Sequence, residues 1–250
     1  MTAPDTVDLD DPATWPTDLF DLIAELAPAV PGGLDTGSDL HNEAGELAGY
    51  DDQVRGMLAG RLLRTYHATR LLDHEIEDVR AFGLHALTES ALTDRVDRAI
   101  HAGSIPAHYL NALRESTALV HESPHAVHYR FGEVSVVSSR QPLSQTWPHR
   151  LLSNWGGEVR QFGPVWTDTK FEGIRRIGRP SLIVAGIDVS TPAAVVAGRE
   201  LVFDFIGIHL GLAGNGVTIH YAADIPGEQI VDICHPGHPE YDRHPHFPAS

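Results

Sequence analysis

The stretch Arg64–Leu84, RTYHATRLLDHEIEDVRAFGL, places His67 and Thr69 two residues apart, after an apolar lead-in and just ahead of a helical pattern. In an extended strand, residues i and i+2 face the same side. Imidazole and hydroxyl therefore address one ligand face, and together they can donate to and accept from the vicinal hydroxyls of a ribose. Arg70 follows at the strand exit, where a guanidinium can grip phosphate through paired bonds. Farther on, NWGGEVRQF sets Trp155 before two glycines and Glu158. Backbone without Cβ atoms lets a planar ring approach closely, and the indole offers a stacking surface. A third cluster, CHPGHPEYDRHPHF, presents Cys234, His235, His238, His244 and His246, all able to bind a borderline cation such as zinc. Prolines separate nearly every pair, and no C-x-x-C or H-x-x-x-H anchor is present. The preferred reading is a proline-stiffened tail over the sheet, with no metal ligand assigned.

The patterns around these residues predict the elements that position them. LLRTYHAT, from Leu62, reads as a strand. Asp73 is expected to cap the next helix, with Glu75 and Glu77 in its first turn and Arg80 in its last. Its buried stripe is Ile76, Val79 and Phe82; Gly83 sits just past the end and Leu84 folds back. A second helix is expected from near Thr88 to Gly103, with Leu92, Val96, Ala99 and Ile100 inward. A third follows Pro106, carrying Leu110, Leu113 and Leu119. After HESPH the period shortens from about 3.6 residues to about 2. AVHYRFGEVSVVSSR alternates through Val127, Tyr129 and Phe131, passes Gly132, and resumes at Val134 and Val136. A short helical piece and a short strand from Glu158 come next. SLIVAGIDV, ELVFDFIGIHL, GVTIHYAAD and EQIVDIC then read as strands. Helices early and strands late imply an α+β fold with a largely antiparallel or mixed sheet.

Composition narrows the function classes. The 250 residues suit one large domain or a domain with an arm. Formal net charge is −16, and residues 1–52 hold thirteen Asp and Glu and no Lys or Arg. This argues against nonspecific binding to duplex DNA, which needs clustered cations. With Pro4, Pro12 and Pro16, residues 1–16 are expected to be disordered, followed by a short helix in TDLFDLIAELA with Thr17 as its cap and Leu19, Phe20, Ile23 and Leu26 as its stripe. The expected division is an acidic, partly disordered arm over 1–54, able to engage a partner, and a single catalytic-type α+β domain over 55–250. No apolar run reaches the ~18 residues of a membrane span. MTAPDTVDLDDP lacks the basic and apolar regions of a secretory signal. A single cysteine permits no internal disulfide, and a cytoplasmic protein is the simplest expectation. There is no G-x-G-x-x-G after a strand, no phosphate loop, no G-x-S-x-G and no H-E-x-x-H.

YHAT, followed by a helix and then Gly83-Leu84, resembles the first strand and helix of ADP-ribosyltransferase-like domains of the diphtheria-toxin, poly-ADP-ribose polymerase and RNA 2′-phosphotransferase type. Those domains carry H-G-T or H-G-S there; Ala68 stands in place of the common glycine. The resemblance implies a split, mixed or antiparallel sheet with helices clustered in the N-terminal half, and NAD as substrate. It implies that His67 and Thr69 orient the nicotinamide-side ribose and that Arg70 or Arg140 holds pyrophosphate. The family's second position falls best on Ser138 and Ser139, with Tyr129 an earlier alternative. Its glutamate, which stabilises charge as the nicotinamide bond breaks, falls on Glu158 by local chemistry or on Glu228 by strand order. The implied activity is transfer of ADP-ribose to a protein or nucleic acid, or NAD hydrolysis, as in a bacterial toxin or defence effector. Alternatives are a non-catalytic nucleotide- or protein-binding module of the same fold, and a metal-dependent hydrolase using the His-rich tail.

Overall fold

The computed structural model describes residues 5–115, 131–156 and 169–249. Its elements, in chain order, are β1 (Thr6–Val7), α1 (Thr17–Leu26), α2 (Gly37–Glu43), α3 (Asp51–Met57), β2 (Leu62–Leu71), α4 (Asp73–Phe82), α5 (Glu89–His101), β3 (Val134–Val137), α6 (Thr146–Ser153), α7 (Glu172–Arg175), β4 (Arg179–Ile187), β5 (Ala194–Ala197), α8 (Leu201–His209), β6 (Thr218–Tyr221), β7 (Ile230–Cys234) and α9 (Pro239–Asp242). The strands form one sheet in the order β5-β6-β3-β2-β4-β7, with β1 joined to β2. β1 runs parallel to β2, whereas β2 with β3 and β5 with β6 are antiparallel. The fold is therefore mixed α and β. Leu119, Val127, Tyr129 and the strand expected from Glu158 lie outside the described residues.

Contacts divide the chain into two compact units, each drawn from three stretches. The first is Met1–His67, Ser135–Ser144 and Val184–Ala222; the second is Ala68–Val134, Gln145–Ile183 and Ala223–Ser250. This differs from the expected division at residue 54. The acidic segment belongs to the first unit together with β3 residues and the antiparallel β5–β6 pair.

Within the first unit, the segment expected to be disordered is folded from Asp5 onward. Thr6 and Val7 pair with Leu62 and Leu63, and Trp15 packs edge-on against Phe205 at 4.9 Å. The acid excess misled because the countercharge is remote in sequence. Arg140 takes Asp8 and Asp10, with N–O distances of 3.0 and 3.1 Å. α1 buries Leu19, Leu22, Ile23 and Leu26, while Phe20 is partly exposed and Pro16, not Thr17, occupies the cap position. The largest correction is ELVFDFIGIHL, expected as a strand, which forms the helix α8. Every residue from Leu201 to Gly207 is buried. A helix apolar on nearly every side is a buried helix, and such a run, broken only by Asp204, has no period by which to tell it from a buried strand. It also places a helix in the strand-rich half.

In the second unit, α4 begins one residue earlier than expected, at Asp73 itself. Leu72 is the cap, its N–H donating to the Glu75 carboxylate at 2.8 Å, and Asp73 is the first helical residue. The reach back from the third helical position is half of a capping box. Ile76 and Val79 are buried, but Phe82 is 63% exposed and leaves the expected stripe. Gly83 ends the helix at φ 92°, ψ −158°, a region essentially confined to glycine. A Cβ there would stand 1.8 Å from the Ile225 carbonyl oxygen, and Leu84 exchanges two 2.8 Å backbone bonds with Ile225. Gly83→Ala is expected to cost about 1–3 kcal/mol, measured by urea unfolding; a loss within error of zero would show that the loop can step aside. α5 is capped by Thr88, whose Oγ accepts from Ala91 N–H at 3.0 Å. Val96 and Ala99 from α5 join Leu72, Ile105, Leu113, Trp155, Phe171 and Ile174 in one apolar core.

Candidate functional site

β2 sits between β3 and β4 in the strand order, and its sequence places His67 at a half-buried position. The Nδ1 of His67 lies 2.8 Å from the carbonyl oxygen of Ser135 on β3. A carbonyl only accepts, so Nδ1 carries a proton. Ser135 is also bonded through its Oγ to Nδ1 of His220 on β6, at 3.2 Å. Three adjacent strands thus string His67, Ser135 and His220 into one polar chain within the first unit. Sequence reasoning missed Ser135 and His220. The alternation in GVTIHYAAD does mark His220 as half-exposed, but no local pattern says which strand lies beside which.

Thr69, two residues along β2, is buried in the second unit. Arg70 is buried too, and its guanidinium donates to three carbonyls: Ile177 at 2.9 Å, Leu152 at 3.1 Å and Arg176 at 2.7 Å. A pyrophosphate would have to displace these oxygens. Trp155, the expected stacking surface, is 1% exposed, with its indole N–H donating to Glu75 at 3.0 Å and the Arg95 guanidinium 5.1 Å over its ring. Its faces are occupied by core. Glu75 also accepts from Arg95 and Leu72 N–H. Burial pushes the Glu75 carboxyl up, but the Arg95 charge and the converging hydrogen bonds outweigh it and hold the carboxyl below its usual range.

In the first unit, Ser138 is fully buried. Its Oγ donates to Asp204 at 3.0 Å and accepts from Val217 N–H at 2.8 Å. Asp204, inside α8, further accepts from Arg199 at 2.7 Å and Gly216 N–H at 2.8 Å. Complete burial raises its carboxyl above the usual range against the pull of Arg199 and these bonds. Ser139 donates to the Asn215 carbonyl at 2.9 Å. Arg140 is held by Asp8 and Asp10, and lies 5.4 Å over the buried ring of Tyr66. The residues assigned to pyrophosphate and to the second family position therefore serve internal networks.

The two glutamates divide differently. Glu228 is exposed in the turn before β7, and Glu158 lies outside the described residues. An open, polar recess of about 260 Å³ in the first unit is lined by Asp51, Arg55, Val196, Gly198, Arg199 and Glu200; none of the residues expected to hold NAD lines it. Among the described residues no helix is long and apolar enough to cross a membrane. No protein-family model, curated protein or solved structure matches the chain.

Proposed function

We propose that the chain is an ADP-ribosyltransferase-like enzyme that binds NAD on β2 and breaks its nicotinamide bond, passing ADP-ribose to a macromolecular acceptor or to water. The observation that carries this reading is the anchored ring of His67: a half-buried imidazole on β2 whose Nδ1 is tied to a strand carbonyl, which fixes the plane of the ring. The succession β2, α4, Gly83 at positive φ and Leu84 adds support, since it follows the family's order of strand, helix and Gly-Leu stop. Thr69 supplies the second ribose contact. Glu228 or Glu158 stabilises the oxocarbenium-like centre as nicotinamide departs. A split sheet, and a role as a bacterial toxin or defence effector, follow from the same resemblance. The internal engagement of Arg70, Arg140, Ser138 and Trp155 favours a second reading, a non-catalytic module of this fold that binds nucleotide or protein without turnover.

Thermal shift with NAD and an assay of released nicotinamide, with cell extract as acceptor, separate the two. Under the first reading NAD raises the melting temperature and nicotinamide appears. His67→Ala then weakens NAD binding at least about tenfold, the loss of one hydrogen bond to a buried polar group. Of Glu228→Gln and Glu158→Gln, one abolishes release and leaves NAD affinity nearly intact. A melting shift without nicotinamide selects the binding module. No shift with NAD or ADP-ribose, and a His67→Ala protein indistinguishable from wild type, overturns both.

A further inference from the structure

The His-rich end of the chain contains a cluster that the NAD reading does not use. Asp232 and Cys234 are residues i and i+2 of β7, so their side chains leave the same side of the strand. The next four residues, His235-Pro236-Gly237-His238, reverse the chain. Gly237 has φ 96°, and His238 N–H returns to the His235 carbonyl at 2.9 Å. This is the geometry of a type II turn, with Pro and Gly at its two central positions. The turn carries His238 back over the strand it has just left. Ligand atoms of Asp232, Cys234 and His238 lie within 4.8 Å of one another.

Asp232 and His238 are each held in place by a neighbour. Ile233 N–H donates to Asp232 Oδ1 at 2.8 Å, which turns Oδ2 toward His238 Nε2, 3.2 Å away. Glu240 N–H donates to His238 Nδ1 at 3.2 Å, and Gly237 N–H donates to Asp242 at 3.0 Å, locking the turn onto α9. Cys234 is wholly buried, and as the only cysteine it has no disulfide partner within the chain.

We propose that Asp232, Cys234 and His238 form a zinc site with one coordination position left to water or a ligand. One thiolate, one carboxylate and one imidazole suit zinc, which takes S, N and O together, better than magnesium or calcium, which take oxygen. The two negative charges balance the cation. Zinc bonds of about 2.0–2.3 Å set tetrahedral ligand atoms about 3.5 Å apart, so the cluster closes by at most about 1.3 Å on loading.

The proton balance of loading follows from the bonds present. The Cys234 thiol releases its proton to solvent as the S–Zn bond forms. Asp232 binds as the carboxylate. While Glu240 N–H is donated to Nδ1, the one proton of neutral His238 sits on Nε2 and faces Asp232. Zinc at Nε2 moves that proton to Nδ1 and breaks the bond from Glu240. Uptake therefore releases about one proton per ion and loosens the start of α9.

Zinc titration of the metal-stripped full chain tests the site, with cobalt as a spectroscopic probe. Wild type is expected to take one ion per chain with release of about one proton, read from the buffer dependence of the binding heat. The cobalt form is expected to show a thiolate-to-metal absorption. Cys234→Ser removes that absorption. Asp232→Asn, at an exposed position that leaves the core intact, and His238→Ala each weaken zinc binding at least about tenfold, while His246→Ala leaves it unchanged. The site is overturned if wild type binds no stoichiometric zinc. It is equally overturned if Asp232→Asn and His238→Ala bind as wild type does, which would place the ion among the other histidines.

Discussion

Arg199→Met is expected to lower the stability of the protein by about 3–5 kcal/mol in chemical unfolding. The reason lies at the start of α8, where Asp204 is completely buried and Arg199 is its only cationic partner among the bonds described above. Removing the guanidinium leaves a carboxylate among apolar side chains, with Ser138 Oγ–H and Gly216 N–H still pointing at it. The full desolvation cost then falls on the folded state. Arg199 also donates to the Gly214 carbonyl at 2.9 Å, so the loop before β6 loses a tie as well. Asp204→Asn keeps the shape but turns an amide N–H₂ toward a donor. The double variant Arg199→Met with Asp204→Asn is expected to be more stable than the sum of the two single losses by more than about 1 kcal/mol. A single-variant loss below about 1 kcal/mol would mean that water reaches the pair.

Glu75 is the corresponding hub of the second unit, and Glu75→Ala is expected to cost a similar ~3–5 kcal/mol. It strands the Arg95 guanidinium and leaves the Trp155 indole N–H and Leu72 N–H without their acceptor. It also removes the reach-back bond that starts α4. Glu75→Gln separates charge from shape. The folded-state pKa of Glu75 lies below its ordinary value of 4.5, so the unfolded chain takes up the proton first. The stabilisation is fully present above that ordinary value and is lost as pH falls through the folded value. Wild type should therefore lose stability steeply below about pH 4.5, and Glu75→Gln should show a flatter dependence there. Parallel curves would remove Glu75 as a source of acid sensitivity.

These two hubs mark the limit of what the sequence made legible. Strand β2, helix α4 with its Gly83 stop, helix α5 with its Thr88 cap and the strands β4, β6 and β7 could be read because each is announced by local chemistry: period, cap or breaker. Leu201–His209 could not, since a run apolar on both sides of its single carboxylate, Asp204, carries no phase, and the spacing of Phe82 suits a stripe that the helix does not bury. Among the candidate site residues, the extended setting of His67 was visible from alternation. The partners of Arg70, Ser138, Arg140 and Trp155 were not visible, because they come from stretches far along the chain. An arginine or serine beside a proposed ligand face looks the same in sequence whether it awaits a phosphate or already serves a carbonyl.

The pairing of Asp8 and Asp10 with Arg140 has a consequence for the growing chain. Asp8 precedes its partner by 132 residues and Asp10 by 130. At about 5–20 residues per second, a ribosome delivers the arginine roughly 7–26 s after the acids. Through that interval the segment stays charged and hydrated, which keeps an unpaired β1 from recruiting wrong strands. Because each compact unit is collected from three separate stretches, neither can close on the first part of the chain alone. No single cut releases either unit whole, so truncations made to isolate one are expected to yield unfolded protein.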